Sequence, residues 1–129
     1  MNRYVIDAYA WIEYFDGTVS GKKAKEIIED PQQEIHTQVI TLSELASHFR
    51  RRGIPFDEAK KIIFSLSSIY PCTPEFAEGA GTFYADIKKE RKHMSLADVF
   101  VLFTARQIQG KVITGDEDFR GLREVVMIK

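Results

Sequence analysis

Short apolar runs of strand type alternate along this chain with segments of helical period. This alternation is typical of βαβ units, in which parallel strands are joined by helices that cover both faces of one sheet. Crossovers of this kind are right-handed almost without exception. The sequence therefore predicts an α/β fold with a parallel sheet of five strands. The predicted strands are residues 4–6, 35–40, 68–70, 111–114 and 124–128.

Helix starts and stops can also be predicted from the sequence. The first helix follows from apolar residues at helical spacing, Ala8, Trp11, Ile12 and Phe15, and it ends at Gly17. The later helices each follow a residue that favours the N-cap position, where a side chain can accept a hydrogen bond from the first turn. The predicted caps are Ser20, Thr41, Asp57, Thr73 and Ser95.

Composition narrows the possible functions. The 129 residues are enough for one domain, and we expect a single domain over residues 1–129. A formal net charge of −1 excludes nucleic-acid binding by bulk positive charge, but not by a local patch. The single cysteine, Cys72, excludes an internal disulfide and fits a reducing compartment. Because neither a membrane-spanning run nor a secretory signal is present, we expect a cytoplasmic protein without membrane contact.

Four acidic residues fall near the carboxyl edge of the predicted sheet. Asp7 and Asp116 follow the first and fourth strands. Glu44 and Asp98 fall in the first turns of two predicted helices whose N-termini lie at that same edge. Ligands of open parallel sheets bind beyond the carboxyl ends of the strands, so this edge is the predicted site.

Each acid also has a purely structural explanation. The patterns Thr41-x-x-Glu44 and Ser95-x-x-Asp98 match a capping box, in which the acid binds the N-cap amide. The first acid could cap the first helix, and the last could belong to a Gly-Asp turn. Taken singly, none of the four acids decides between a structural and a functional role.

Two features favour a metal site. The helix that begins near Asp98 is apolar almost all round, which predicts burial, and a buried uncompensated carboxylate costs on the order of several kcal/mol. Four gathered carboxylates also repel one another, and a divalent cation removes that repulsion. Mg²⁺ and Mn²⁺ prefer such oxygen ligands, so one or two of these ions are predicted.

Further candidates surround the four acids. Asp118 is predicted to lie in the outer shell of the metal site or to cap a short helix. Thr114 and Ser43 could orient ligands or water, although ordinary hydrogen bonding to the backbone explains them as well. A basic run before Ser95 could bind substrate phosphates, although such runs are usually only solvated. The run contains Lys88, Lys89, Arg91 and Lys92.

Four motifs stand in order along the chain. They are Ile6-Asp7, Thr41-Leu42-Ser43-Glu44-Leu45-Ala46, Leu96-Ala97-Asp98 and Val112-Ile113-Thr114-Gly115-Asp116-Glu117-Asp118-Phe119. Together they resemble the PIN domain, and the size and layout of the chain are most similar to VapC-type toxins of prokaryotic toxin–antitoxin pairs.

The resemblance implies a three-layer α/β/α PIN-like fold and a Mg²⁺- or Mn²⁺-dependent ribonuclease. It assigns catalysis and metal binding to Asp7, Glu44, Asp98 and Asp116. It also implies a homodimer and an antitoxin that wraps the toxin and blocks its site. One position departs from the pattern, because many members carry Ser or Thr two residues after the first Asp, where this chain has Tyr9.

Other classes of protein fit less well. A receiver-type signalling domain would have adjacent acids early in the chain, whereas Ala8 follows Asp7, and an Asp-x-Asp phosphatase would need an acid in place of Tyr9. Two alternatives stay open: a PIN-like nuclease in RNA or DNA processing, and a non-catalytic PIN-like binding module. Because degenerate members lose acids and this chain keeps all four, an enzyme is favoured over the binding module.

Overall fold

The computed structural model describes residues 1–129 and contains one five-stranded sheet in which every neighbouring pair of strands is parallel. The strands are β1 (Arg3–Ile6), β2 (Glu34–Gln38), β3 (Ser68–Tyr70), β4 (Lys111–Thr114) and β5 (Val125–Met127). The helices are α1 (Ala8–Asp16), α2 (Val19–Ile28), α3 (Val39–Arg51), α4 (Asp57–Leu66), α5 (Pro74–Ile87) and α6 (Leu96–Ile108), with a 3₁₀ turn at Glu117–Phe119. None of the helices is both long and apolar enough to cross a membrane.

The strands lie in the order β3-β2-β1-β4-β5, with β1 at the centre. Alternate side chains of a strand face opposite layers. Ile6 and Ile113 therefore pack into one core with side chains of α1 to α4, whereas Val5 and Val112 pack on the other face against α6. The predicted α/β/α arrangement around a five-stranded parallel sheet is confirmed.

Helix α6 is the central helix of one layer and carries Asp98 at its start. It buries Val99, Val101, Leu102 and Ala105, as its apolar sequence predicts. Its outer face packs against α5 at Gly79, where an added Cβ would come within 2.9 Å of the Phe103 ring. The glycine in the middle of α5 thus permits the close approach of the two helices.

Two helix caps differ from the sequence predictions at α2 and α4. Thr18, not Ser20, caps α2, and its Oγ1 accepts a hydrogen bond from the Gly21 N–H at 3.0 Å. At α4 the N-cap is Phe56, with no side-chain hydrogen bond, and Asp57 is the first helical residue. The two predicted caps lie inside their helices because each helix begins one or two residues earlier.

The start of α3 also differs from the prediction, and this difference affects the site. Gln38, not Thr41, is the N-cap, and its side-chain oxygen accepts from the Ile40 N–H at 3.0 Å. The buried Gln38 amide donates at 3.0 Å to the hydroxyl of Thr104 on α6. Because this contact ends β2 at Gln38, α3 starts early and Glu44 lies in its second turn. The predicted Thr41–Glu44 capping box is therefore wrong.

Candidate active site

The carboxyl edge of the sheet carries the four acids singled out from the sequence. Asp7 directly follows β1, and Asp116 lies two residues beyond β4. Asp98 lies in the first turn of α6, and Glu44 in the second turn of α3. The structure brings these side chains close enough for charge to act between them, since Asp98 and Asp116 raise the pKa values of both Asp7 and Glu44.

Asp98, Asp116 and Asp118 form the tightest part of this group. One carboxylate oxygen from each lies within 4.8 Å of the other two, and all three residues are half-buried. The 3₁₀ turn brings Asp118 to this position, because Asp116 caps it by accepting from the Asp118 N–H at 2.9 Å. The sequence placed Asp118 only in the outer shell of the predicted metal site, because sequence spacing does not show how tightly this turn folds.

Asp7 is the most deeply buried acid of the group. Its pKa is raised from 3.8 to about 7, mainly by burial and to a smaller extent by the charges of Asp98 and Asp116. Hydrogen bonds from the Thr114 hydroxyl and from the Ala10 N–H, at 2.9 Å, act in the opposite direction. The site therefore holds more negative charge than its own hydrogen bonds stabilise.

Glu44 and Asp98 show the same excess of charge. Burial is the main cause that raises the pKa of each, and neighbouring carboxylates add to it. Asp98 also takes part in a capping box, since it accepts from the Ser95 N–H while Ser95 Oγ accepts from the Asp98 N–H, both at 3.0 Å. Glu44 has no capping role, so capping does not explain its place at this edge.

Of the two hydroxyl candidates, Thr114 lies at the centre of the group and Ser43 at its margin. Thr114 is fully buried, accepts from the Asp116 N–H at 3.0 Å and forms a hydrogen bond with Asp7. One side chain thus links the acids that follow β1 and β4. Ser43 is exposed on α3 next to Glu44.

The basic run before α6 divides into two kinds of residue. Lys88 donates a hydrogen bond to a backbone carbonyl at 3.4 Å. Arg91 donates through Nη1 to two backbone carbonyls, and one of these is the carbonyl of Asp118 at 3.1 Å. Arg91 therefore holds the turn that carries Asp118. Lys89 and Lys92 are exposed.

Thr41 does not cap α3 as predicted, but its buried hydroxyl is unusual. Its Oγ1 is the one buried side-chain nitrogen or oxygen without a hydrogen-bond partner. It lies one turn before Glu44, on the same side of α3. Buried hydroxyls are ordinarily paired, so the Thr41 hydroxyl is an exception among the buried polar side chains.

Removing the α6 cap should separate the structural role of this region from its chemistry. We expect Ser95→Ala to lose about 1 kcal/mol of stability, because the Asp98 N–H loses its acceptor, and to lower the unfolding midpoint by about 3–5 °C. Ser20→Ala is the matched control, since Ser20 is not the cap of α2. Thermal unfolding followed by circular dichroism compares the two. Equal losses in both variants would contradict the capping geometry.

The fold and the site define a class of domain, a three-layer α/β/α protein with carboxylates gathered at the carboxyl edge of a parallel sheet. The sequence model of the PIN domain matches residues 4–125. The chain belongs to the PIN-domain family. No curated protein sequence gives a match.

Solved structures with the same fold include several toxin–antitoxin proteins. A chain of a toxin–antitoxin complex from Klebsiella pneumoniae is 24% identical, with a TM-score of 0.73 and 98% of each chain covered. VapC20 of Mycobacterium tuberculosis, a toxin that cleaves the sarcin–ricin loop, is 19% identical, with a TM-score of 0.74 over 95% of this chain and 98% of that one. DNA-bound VapBC of Salmonella typhimurium is 13% identical, with a TM-score of 0.73 and full coverage of both chains. At these identities the likeness is one of fold.

Proposed function

We propose that this protein is a Mg²⁺- or Mn²⁺-dependent endoribonuclease and the toxin of a toxin–antitoxin pair. The observation that carries the proposal is the carboxylate group at the sheet edge, in which Asp98, Asp116 and Asp118 lie within 4.8 Å beside Asp7 and Glu44. Membership of the PIN family supports nuclease activity. The fold shared with a toxin that cleaves the sarcin–ricin loop supports RNA as the substrate.

The donor set fits a hard divalent cation. All its ligand atoms are carboxylate oxygens, which Mg²⁺ and Mn²⁺ prefer. The raised pKa values of Asp7, Glu44 and Asp98 reflect an electrostatic cost that a cation would offset.

The acids would divide the work of holding one or two ions. Asp98, Asp116 and Asp118 would hold the first, with Asp7 and Glu44 completing the catalytic group. A bound ion supplies Lewis acidity to the scissile phosphate and lowers the pKa of a water molecule. The chain contributes a fixed arrangement of carboxylates.

Neighbouring side chains would position these acids and the substrate. Thr114 would help to position both acids, because its hydroxyl accepts from the Asp116 backbone N–H and lies beside the Asp7 carboxylate. Lys89 and Lys92 are exposed and would contact phosphates of the RNA backbone, and the exposed Ser43 would orient a ligand or water. Lys88 and Arg91 contribute mainly by shaping the loop.

Protein partners form part of the proposal. The neighbours from Klebsiella pneumoniae and Salmonella typhimurium belong to toxin–antitoxin complexes, which supports a cognate antitoxin, and we also propose a homodimer. An RNA substrate and a single exposed Cys72 agree with action in the cytoplasm.

The nuclease proposal is tested with purified protein and end-labelled single-stranded RNA. We expect cleavage in Mg²⁺ or Mn²⁺ and none in EDTA, with activity restored when Mn²⁺ is added back in excess, because the ion supplies the chemistry of the step. Single-stranded DNA of the same sequence tests whether the protein distinguishes ribose from deoxyribose. Cleavage that persists in EDTA would refute metal dependence, and the absence of both cleavage and Mn²⁺ binding would favour a non-catalytic binding module.

A further inference from the structure

The aromatic ring of Tyr9 lies against the loop that carries Asp116. A Cβ built on Gly115 would stand 2.3 Å from Tyr9 Cε1 and 2.8 Å from Cδ1, so the ring fills the space beside that glycine. Gly115 does not have a positive φ, so its backbone alone does not require glycine. The ring therefore packs against Gly115, the residue before Asp116.

Lys129 lies beside this ring. Its ammonium is 5.9 Å from the Tyr9 ring centroid, and Tyr9 is the main cause that raises the pKa of Lys129. The backbone around it is held to the same edge, because the Ile128 N–H donates to the Thr114 carbonyl at 2.9 Å and Arg120 donates to the Lys129 carbonyl at 3.4 Å.

The charges around Lys129 leave its ammonium available to an anion. Glu13 and Glu117 are near enough to raise its pKa slightly, but none of the ion pairs within 4.0 Å includes Lys129. Its neighbour Arg120, by contrast, is paired with Glu117 at 2.7 Å. Lys129 is thus an exposed cation without an ion-pair partner within 4.0 Å, and it follows β5 at the carboxyl edge of the sheet.

A polyanion approaching five gathered carboxylates needs compensating donors close by. Tyr9 offers an O–H and Lys129 a charged N–H group, and the Lys129 ammonium lies 5.9 Å from the Tyr9 ring centroid. We propose that Tyr9 and Lys129 form a phosphate-binding subsite that holds the RNA backbone beside the scissile bond. This inference rests on the proposed nuclease function and assigns a part of its substrate contact.

Two single variants test the subsite while keeping the fold. Tyr9→Phe removes the hydroxyl and keeps the ring on Gly115, and Lys129→Gln removes the charge. Lys111→Gln is the matched control, because Lys111 is exposed at the start of β4, at the opposite edge of the sheet. The probe is a fluorescein-labelled 12-nucleotide single-stranded RNA, whose binding is measured by fluorescence anisotropy in EDTA, where no metal-dependent cleavage can occur, at several salt concentrations.

We expect Tyr9→Phe and Lys129→Gln each to raise the Kd about three- to tenfold. Lys129→Gln should also reduce the slope of log K against log salt by about 0.7, the value for one phosphate contact on a single strand. Lys111→Gln should leave both quantities unchanged. A purely structural role of Tyr9 would move the unfolding midpoint without affecting the Kd of Tyr9→Phe.

The possible outcomes distinguish the proposed phosphate subsite from the proposed nuclease function. Equal binding by Lys129→Gln and Lys111→Gln, or no RNA binding by the wild-type protein, would overturn the subsite. Weakened binding in both subsite variants, together with no cleavage by the wild-type protein in Mg²⁺ or Mn²⁺, would support the subsite and refute the nuclease function instead.

Discussion

Asp98→Asn is expected to reduce metal-dependent RNA cleavage by at least about a thousandfold while the protein stays folded. A catalytic metal ion contributes several kcal/mol to transition-state stabilisation, and each 1.36 kcal/mol corresponds to about a factor of ten in rate. Asparagine retains a side-chain oxygen that can accept from the Ser95 N–H, so the start of α6 should survive. The variant therefore removes a charge from the carboxylate group and little else.

The comparison needs a control with the same change of charge. Asp86→Asn on α5 supplies it, because Asp86 is exposed and lies outside the carboxylate group. Initial cleavage rates of end-labelled RNA in Mn²⁺, and Mn²⁺ binding by calorimetry, should separate the two variants. Wild-type rates in Asp98→Asn would remove this residue from the proposed catalytic group.

Asp7→Asn is expected to stabilise the metal-free protein at high pH and to have little effect at low pH. The folded-state pKa of Asp7, about 7, lies above its ordinary value of 3.8, so the folded protein retains a proton that the unfolded chain releases. The free energy of unfolding of the wild-type protein therefore falls as pH rises from about 4 to 7, and Asp7→Asn avoids this loss. We expect the variant to be about 2–4 kcal/mol more stable at pH 8.

Urea denaturation in EDTA at pH 4 and pH 8 measures this effect. Asparagine is also a good N-cap, so the hydrogen bond from Ala10 and the start of α1 should be retained. Added Mn²⁺ should reverse the order of stability, because it binds the folded wild-type site more tightly than the variant site. Asp86→Asn again serves as the control. A gain in stability of equal size at both pH values would show that the charge of Asp7 is not its cause.

Local signals predicted some helix boundaries correctly and others wrongly. Thr73 before Pro74, Ser95 before α6 and Gly17 after α1 occupy the predicted capping positions. Thr41 failed as a cap because Gln38, earlier in the chain, bonds to Thr104 on a distant helix. No local pattern could indicate that contact.

Some features of the candidate site likewise follow from the sequence, and others only from the tertiary structure. The sequence by itself determined the alternation of strands and helices, and parallel topology then placed Asp7, Glu44, Asp98 and Asp116 at one edge. Only the tertiary structure decided which of their oxygens meet, and it added Asp118 to Asp98 and Asp116 through a three-residue turn.

Burial and long-range contacts were also decided by the tertiary structure alone. Which atoms pack around each group decides the pKa of Asp7 and leaves the Thr41 hydroxyl without a partner. Tertiary packing also brings Lys129 beside Tyr9. Periodicity and capping act over a few residues and can be recognised in the sequence. Desolvation and contacts between distant segments depend on the packed structure, in which residues far apart in the chain become neighbours.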